Sequence, residues 1–154
     1  MDEVAGFPAD AQVFRGFDKE QIEKIVEICQ PVHFREGQVI VEKNNRDRDL
    51  YILVRGRVNI TLSEYPGKHD AGTLTKCNPG GVFGELSFID GSRRSAHVVA
   101  IEDVDALRLT WDDFSGLVRS DLKICCTFFY NLALVIADRL RNTTFLCSNL
   151  LGMR

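Results

Sequence analysis

Several features are scarce or absent in this 154-residue chain, and each absence excludes a class of function. There is no excess of positive charge: 19 Lys and Arg stand against 22 Asp and Glu, a net charge of −3. Nothing therefore draws in nucleic acid or an anionic membrane surface by its overall field, and an anion must be held by local arginines. There is no long apolar run either. The most apolar stretch, 122–137, is interrupted by Lys123 and Asn131 and falls short of a membrane span. The first residues, Met1-Asp2-Glu3-Val4, are acidic where a secretory leader is basic, so no signal peptide is expected. Cysteine is present (Cys29, Cys77, Cys125, Cys126 and Cys147) but odd in number and without C-x-x-C pairs. The expectation is free, buried thiols in a reducing cytoplasm. His33, His69 and His97 do not cluster in sequence. No activated nucleophile, acid–base pair or metal cluster is visible, so no catalytic residue, metal ligand or cofactor is expected. Asp112 and Asp113 read as first-turn acids of a helix.

What is present suggests one domain, long enough to bury roughly 68–70% of its unfolded surface. Residues 1–13 carry no periodic signal and read as a loosely held arm, with the domain over 14–154. Asp18-Lys19-Glu20-Gln21 is a capping box. Ile22, Ile25, Val26 and Cys29 then recur at helical spacing until Pro31. Phe14 and Phe17 precede this helix and are placed to staple it to a core. From about 32 to 110 the chain reads as short strands at 32–34, 38–42, 50–54, 58–62, 73–75, 96–100 and 105–109, punctuated by turns. Gly56 marks a tight turn or bulge. Many short strands joined by turn chemistry indicate a mainly β fold, an antiparallel sandwich or barrel with flanking helices. Thr110 is a candidate N-cap for a helix beginning at Trp111, and Ser120 or Asp121 opens a longer one. On that helix Leu122, Phe129, Ile136 and Leu150, with Cys125, Leu132 and Leu146 beside them, form an a/d-like seam. Phe128, Leu134 and Val135 make other faces apolar as well. One side is expected to pack on the β-domain and another on a second copy, giving a homodimer.

The segment 82–98, VFGELSFIDGSRRSAHV, carries the chemistry. A glycine and free backbone N–H groups at a helix start form an anion site. An arginine returning to the same spot grips a phosphate through two parallel hydrogen bonds. Glu85 between them would repel a bare phosphate but suits a ligand that also carries hydroxyls. Phosphate plus sugar is a nucleotide.

This order of helix, short strands, internal Phe83-Gly84-Glu85-Leu86-Ser87 turn and long helix resembles the cyclic nucleotide-binding domain family, which includes the bacterial catabolite activator and kinase regulatory subunits. The stretch from Gly37-Gln38-Val39-Ile40 through Arg55-Gly56-Arg57-Val58 is similar to the family's opening β-roll. Gly84-Glu85-Leu86-Ser87 with Arg94-Ser95-Ala96 is similar to its phosphate-binding cassette. The resemblance implies an antiparallel, jelly-roll-like β-roll (a double-stranded β-helix) with a short N-terminal helix, a cassette helix and C-terminal helices, the last of them long, over 111–150. It implies that Glu85 accepts a ribose hydroxyl, Arg94 pairs with the phosphate, and the N–H groups of Leu86 and Ser87 face it, with Gly84 allowing close approach. A hydroxyl at Ser95 leaves cyclic AMP and cyclic GMP both open. Arg139-Leu140-Arg141-Asn142-Thr143-Thr144 resembles the activator's helix, making Thr143 and Thr144 candidates for base contacts. Arg93 stands where many members have proline and is expected to face solvent. His97 departs from the usual Thr, Ser or aromatic residue and is expected to pack.

The implied function is a cytoplasmic cyclic nucleotide sensor that signals through its C-terminal helix to an unidentified protein. The chain shows no helix-turn-helix after that helix, so no direct DNA binding is expected, and no membrane. Two alternatives stand beside it. One is a β-roll scaffold that works without ligand. The other is a cupin-type metal enzyme, for which His97 near Glu85 would be a starting point.

Overall fold

A computed structural model describes residues 9–66 and 72–152. Helix α1 (Lys19–Glu27) begins at the capping box: the Asp18 carboxylate accepts from the Gln21 amide at 2.8 Å, and the Gln21 side chain accepts from the Asp18 amide at 3.0 Å. Eight strands follow: β1 (Gln30–Phe34), β2 (Val39–Val41), β3 (Leu50–Arg55), β4 (Val58–Thr61), β5 (Thr73–Cys77), β6 (Val82–Phe83), β7 (His97–Ala100) and β8 (Val104–Leu109), with the short helix α2 (Glu85–Asp90) between β6 and β7. They form two four-stranded antiparallel sheets, in the orders β1-β8-β3-β6 and β2-β7-β4-β5. The expected roll is therefore present, and the loop expected at 65–72 lies partly outside the described residues.

Strand β3 shows how the layers are arranged. Alternate residues of a strand point to opposite faces. Tyr51 and Leu53 join Val58, Phe83, Val98 and Val104 between the sheets. Leu50 and Ile52 face the other way, into a second core with Phe88, Phe114 and Phe128 from the helices. Both faces are covered, so the strand is continuously apolar where a half-exposed strand would alternate. Between β3 and β4, Gly56 adopts φ +84°, and a Cβ there would lie 2.2 Å from the Asp103 carbonyl oxygen. Only glycine fits that crossing.

Helix α3 (Trp111–Ser120) is capped by Thr110, whose hydroxyl accepts from the Asp113 amide at 3.1 Å, and helix α4 (Leu122–Leu150) by Asp121. The acids Asp112 and Asp113 lie in the first turn of α3 as expected. Phe88 of α2, Phe114 of α3 and Phe129 of α4 form a ring-to-ring chain, with centroids 5.3 Å and 5.1 Å apart. Each such pair contributes about 0.5–1.5 kcal/mol beyond its burial, so α2 is packed to α4 through α3.

Three expectations are corrected. The arm does not end cleanly at residue 13: Ala11 and Val13 are buried, and Asn131 donates to the Val13 and Arg15 carbonyls, both at 2.9 Å. The expected seam on α4 is only partly free for a partner: Cys125 and Leu132 pack with Ile124, Phe128 and Val135 inside this domain and Phe129 is half-buried, while Leu122, Leu146 and Leu150 are exposed. And the cysteines are not uniformly buried: all five are free, but Cys126 and Cys147 are exposed on α4.

Candidate functional site

Strand β6 delivers the chain to Gly84, which caps α2 with φ +83°. A Cβ at Gly84 would lie 2.6 Å from Arg94 Nη1 and 2.7 Å from the Asp49 carbonyl oxygen. The glycine thus permits the close approach of this chain's own arginine. Helix α2 then places Glu85 in its first turn and buries Ser87 and Phe88. The amides of its first turn have no acceptor within the helix. Arg94 returns on the segment before β7, and Glu85, Leu86, Ser87, Arg94 and Ser95 line one cavity with Gly84. Its opposite wall is apolar, from Val41 on β2, Ile60 on β4 and Val98 on β7.

The Arg94 side chain is only 2% exposed, and its partners explain how a charge is tolerated there. Nη1 donates to the Gly84 carbonyl at 3.0 Å and Nη2 to the Asp49 carbonyl at 2.7 Å. Nε donates to Asp47 Oδ1 at 3.2 Å, and Nη2 bonds the same carboxylate oxygen. A guanidinium has five N–H donors. One, on Nη1, is left without a protein acceptor among the described residues. The expected two-bond grip on a phosphate is therefore occupied in this structure by Asp47, from the polar loop between β2 and β3.

Glu85 is also engaged. Its Oε1 lies 2.5 Å from Arg139 Nη1 of α4, and Arg139 Nη2 bonds the Val82 carbonyl. No Glu85–Arg94 ion pair is formed. The two residues that resemble the sugar–phosphate grip are instead tied to separate partners, a loop on one side and the long helix on the other. Near this pair, burial pushes the Cys77 thiol up to about 11.

The rest of the β2–β3 loop braces the cassette. The Arg48 guanidinium donates to the Phe88 carbonyl at 2.9 Å and lies 4.0 Å over the Trp111 ring. The Asp49 carboxylate accepts from Arg108 Nε at 2.6 Å and, with the hydrogen bond dominant, favours the charged form of that arginine. Sequence reasoning missed Asp47, Arg48, Asp49 and Arg139 as site residues. The alternating charges of 46–49 were the available signal for the loop, and Arg139 opens the helix run that resembles the activator's.

Thr143 and Thr144 are exposed on α4 and do not line the cavity. Thr144 donates its hydroxyl to the Leu140 carbonyl at 2.8 Å. Arg93 is exposed and donates to the Asn44 carbonyl at 3.0 Å. His97 is half-buried at the start of β7, its Nδ1 accepting from the Lys43 amide at 3.1 Å, and it is not part of the cavity wall. Among the described residues, no three His, Cys, Asp or Glu side chains converge as metal ligands, and no helix is long and apolar enough to cross a membrane.

Two antiparallel sheets, with a glycine-capped short helix and a returning buried arginine between β6 and β7, define a β-roll. The chain belongs to the cyclic nucleotide-binding domain family, whose model matches residues 31–121. It is 30% identical over 129 residues to the cyclic AMP receptor protein of Thermus thermophilus, covering 84% of this chain and 57% of that one. It is 28% identical to a cAMP-dependent protein kinase regulatory subunit of Dictyostelium discoideum, covering 72% of this chain and 34% of that one. Among solved structures, the Thermus thermophilus catabolite activator protein superimposes with a TM-score of 0.75 at 29% identity, covering 91% of this chain and 63% of that one. The chain thus spans about a third to six-tenths of the length of these curated relatives.

Proposed function

We propose that this domain senses a cyclic purine nucleotide, cyclic AMP or cyclic GMP, and reports its presence through α4. The observation that carries the reading is the convergence of Glu85, Arg94 and the first turn of α2 on one cavity with an apolar far wall. The phosphate would take the free N–H of Arg94 and the amides of Leu86 and Ser87, with Ser95 at the rim. Glu85 would accept the ribose hydroxyl, and the purine would lie toward Ile60 and Val98. Arg139 connects Glu85 to α4, so a hydroxyl competing for Glu85 acts on the same ion pair that anchors the helix. Thr143, one turn beyond Arg139, is placed to meet the base only if α4 closes over the cavity, while the Thr144 hydroxyl is held by the Leu140 carbonyl. A ligand shifts such an equilibrium only by its differential affinity for the two positions.

The relatives support the ligand class and leave the base open. One is named a cyclic AMP receptor, and another is a cGMP-dependent protein kinase of Mus musculus. The acidic balance and free thiols suit a cytoplasmic module that acts on a protein and not on DNA or a membrane. A homodimer through α4 belongs to this reading.

Calorimetric titration of cyclic AMP and cyclic GMP into the wild-type chain and into Glu85→Gln and Arg94→Ala tests the proposal. Micromolar binding to wild type, weakened in both variants, supports it. A ligand-independent roll is the second reading, favoured by the fact that Arg94 and Glu85 already have protein partners. No heat with either nucleotide, in folded protein shown free of co-purified ligand, decides for that reading.

A further inference from the structure

Helix α4 carries a repeat that its own domain does not use. Cys126, Ala133, Leu140 and Cys147 recur every seven residues, and all four are exposed. Tyr130, Ala137, Thr144 and Leu151 form a second set at the same interval, four residues after each of the first. Tyr130, Leu140 and Leu151 are 65%, 64% and 73% exposed. Alternating steps of three and four over about four heptads are the seam of a two-helix coiled coil, with Cys126 at d and Tyr130 at a. In that frame every α4 residue buried in the domain falls at b, c or f: Ile124 and Asn131 at b, Cys125 and Leu132 at c, Phe128 and Val135 at f. The domain-facing and seam-facing sides are opposite, so both can be covered at once.

The occupant that suits this seam is a second copy of the same helix, parallel and in register. The flanking e and g positions contain a single charged residue, Arg141, so two copies bring no rows of like charge together. Thr144 is the polar residue at an a layer. Parallel pairing sets this side chain beside its own counterpart, whereas an antiparallel pair would set it against an apolar one. Polar a residues select register in this way.

We infer that Cys126 and Cys147 each face their own counterpart in this pair, so that the seam is a site of reversible disulfide locking between two copies. This rests on the homodimer proposed above. Helix axes in contact run ~8–10 Å apart with Cα atoms ~2.3 Å off axis, which leaves facing Cα atoms roughly 3.4–5.4 Å apart. That overlaps the Cα spacing of about 4.4–6.8 Å that a disulfide requires. The oxidant is a small-molecule disulfide. A cysteine thiolate of one copy attacks it and releases one small thiol. The same cysteine of the other copy then attacks the mixed disulfide and releases the second. Two protein thiols and one small disulfide thus yield one protein disulfide and two small thiols. The other three cysteines do not compete: Cys77 and Cys125 are buried, and Cys29 is part-buried with its Sγ–H on the Ile25 carbonyl.

The test uses the whole chain, reduced and then treated with oxidised glutathione. Light scattering of the reduced chain comes first, and a monomer at high concentration overturns the dimer itself. With a reduced dimer in hand, the expected product is a covalent dimer on non-reducing gels. Peptide mapping should show 126–126 and 147–147 links. Cys126→Ser and Cys147→Ser should each retain the other link, and the double variant neither. A reduced dimer that gives no covalent product, or only 126–147 links, overturns the inference. The two positions lie about 31 Å apart along one helix, so a mixed link requires antiparallel pairing.

Discussion

Gly84→Ala tests the site most directly, because a single methyl group is asked to occupy space the structure has already filled. Three effects add. The residue sits at φ +83°, a left-handed conformation that costs an ordinary residue about 1–2 kcal/mol. The new Cβ would stand 2.7 Å from the Asp49 carbonyl oxygen, a backbone atom, and 2.6 Å from Arg94 Nη1. Relieving both contacts moves the guanidinium off the Gly84 and Asp49 carbonyls, hydrogen bonds of a charged donor worth roughly 1.5–3 kcal/mol each. Some of that loss is recovered by relaxation, so the expected destabilisation is about 3–5 kcal/mol. At about 2–4 °C per kcal/mol for a domain of this size, the midpoint should fall by roughly 6–20 °C. Gly116→Ala is the control. Gly116 lies in α3, where an alanine Cβ would meet nothing within 4 Å, and the substitution should raise stability by up to ~1 kcal/mol. Thermal and urea unfolding of the two variants should therefore diverge in sign. A Gly84→Ala midpoint within a degree or two of wild type would show that Arg94 is not seated as described.

Asp47→Asn removes the counter-charge of Arg94; with Asp47 35% exposed, the expected loss is about 1–3 kcal/mol, read by urea unfolding, and no loss would mean that the pair does not hold. Arg139→Ala leaves the Glu85 carboxylate without its helix partner and should cost about 1–3 kcal/mol. Combined with Glu85→Gln, it should cost less than the sum of the singles, and additivity would contradict the contact. Asp105, which accepts from His33 at 2.7 Å and Arg55 at 2.6 Å, has its carboxyl held below the usual range, chiefly by the His33 hydrogen bond. A depressed folded value stabilises above the unfolded pKa and is lost as pH falls through the folded one. Asp105→Asn should therefore lower stability modestly at pH 7, and the difference should close on acidification below pH about 4; a gap that persists in strong acid would count against it. Thiol titration of reduced native protein should separate the buried thiols from the rest. Cys77, held up at about 11, and Cys29, at about 12, should react only on unfolding, and five fast thiols would contradict the burial.

What was readable in the chain divides by sequence distance. The capping box of α1 and the Thr110 cap of α3 involve residues three apart, and local chemistry announces them. Glu85 and Arg94 were readable because a single continuous segment carries both, with glycines where the backbone must turn. Strand β6 was not separable from the motif that follows it, since two residues show no period. The partners Asp47 and Arg139 are far in sequence from Arg94 and Glu85 respectively, and only the packing of the roll and the docking of α4 bring them in. The face of α4 was misread for a related reason. A helix apolar on several sides offers more than one seam, and packing against Phe114 and the N-terminal segment selects Ile124, Phe128 and Val135 for the interior.

The engagement of both grip residues changes how affinity at this site must be reckoned. A phosphate entering an empty cradle would gain every hydrogen bond it makes. Here Arg94 offers one free N–H, so a second bond requires the guanidinium to slacken its hold on Asp47 or a carbonyl. A ribose hydroxyl donating to Glu85 would share that carboxylate with Arg139. On the proposed reading, binding would be an exchange of partners, its net free energy the difference between two similar sets of charge-assisted bonds. That would lower affinity, but it would give the ligand a handle on the structure. Each protein partner loosened at the site belongs to a different element, the β2–β3 loop in one case and α4 in the other. The loop also braces α2 and stacks Arg48 on Trp111, and α4 would present the proposed seam on the side away from the domain. A site whose residues were free would bind more tightly and would have nothing to release.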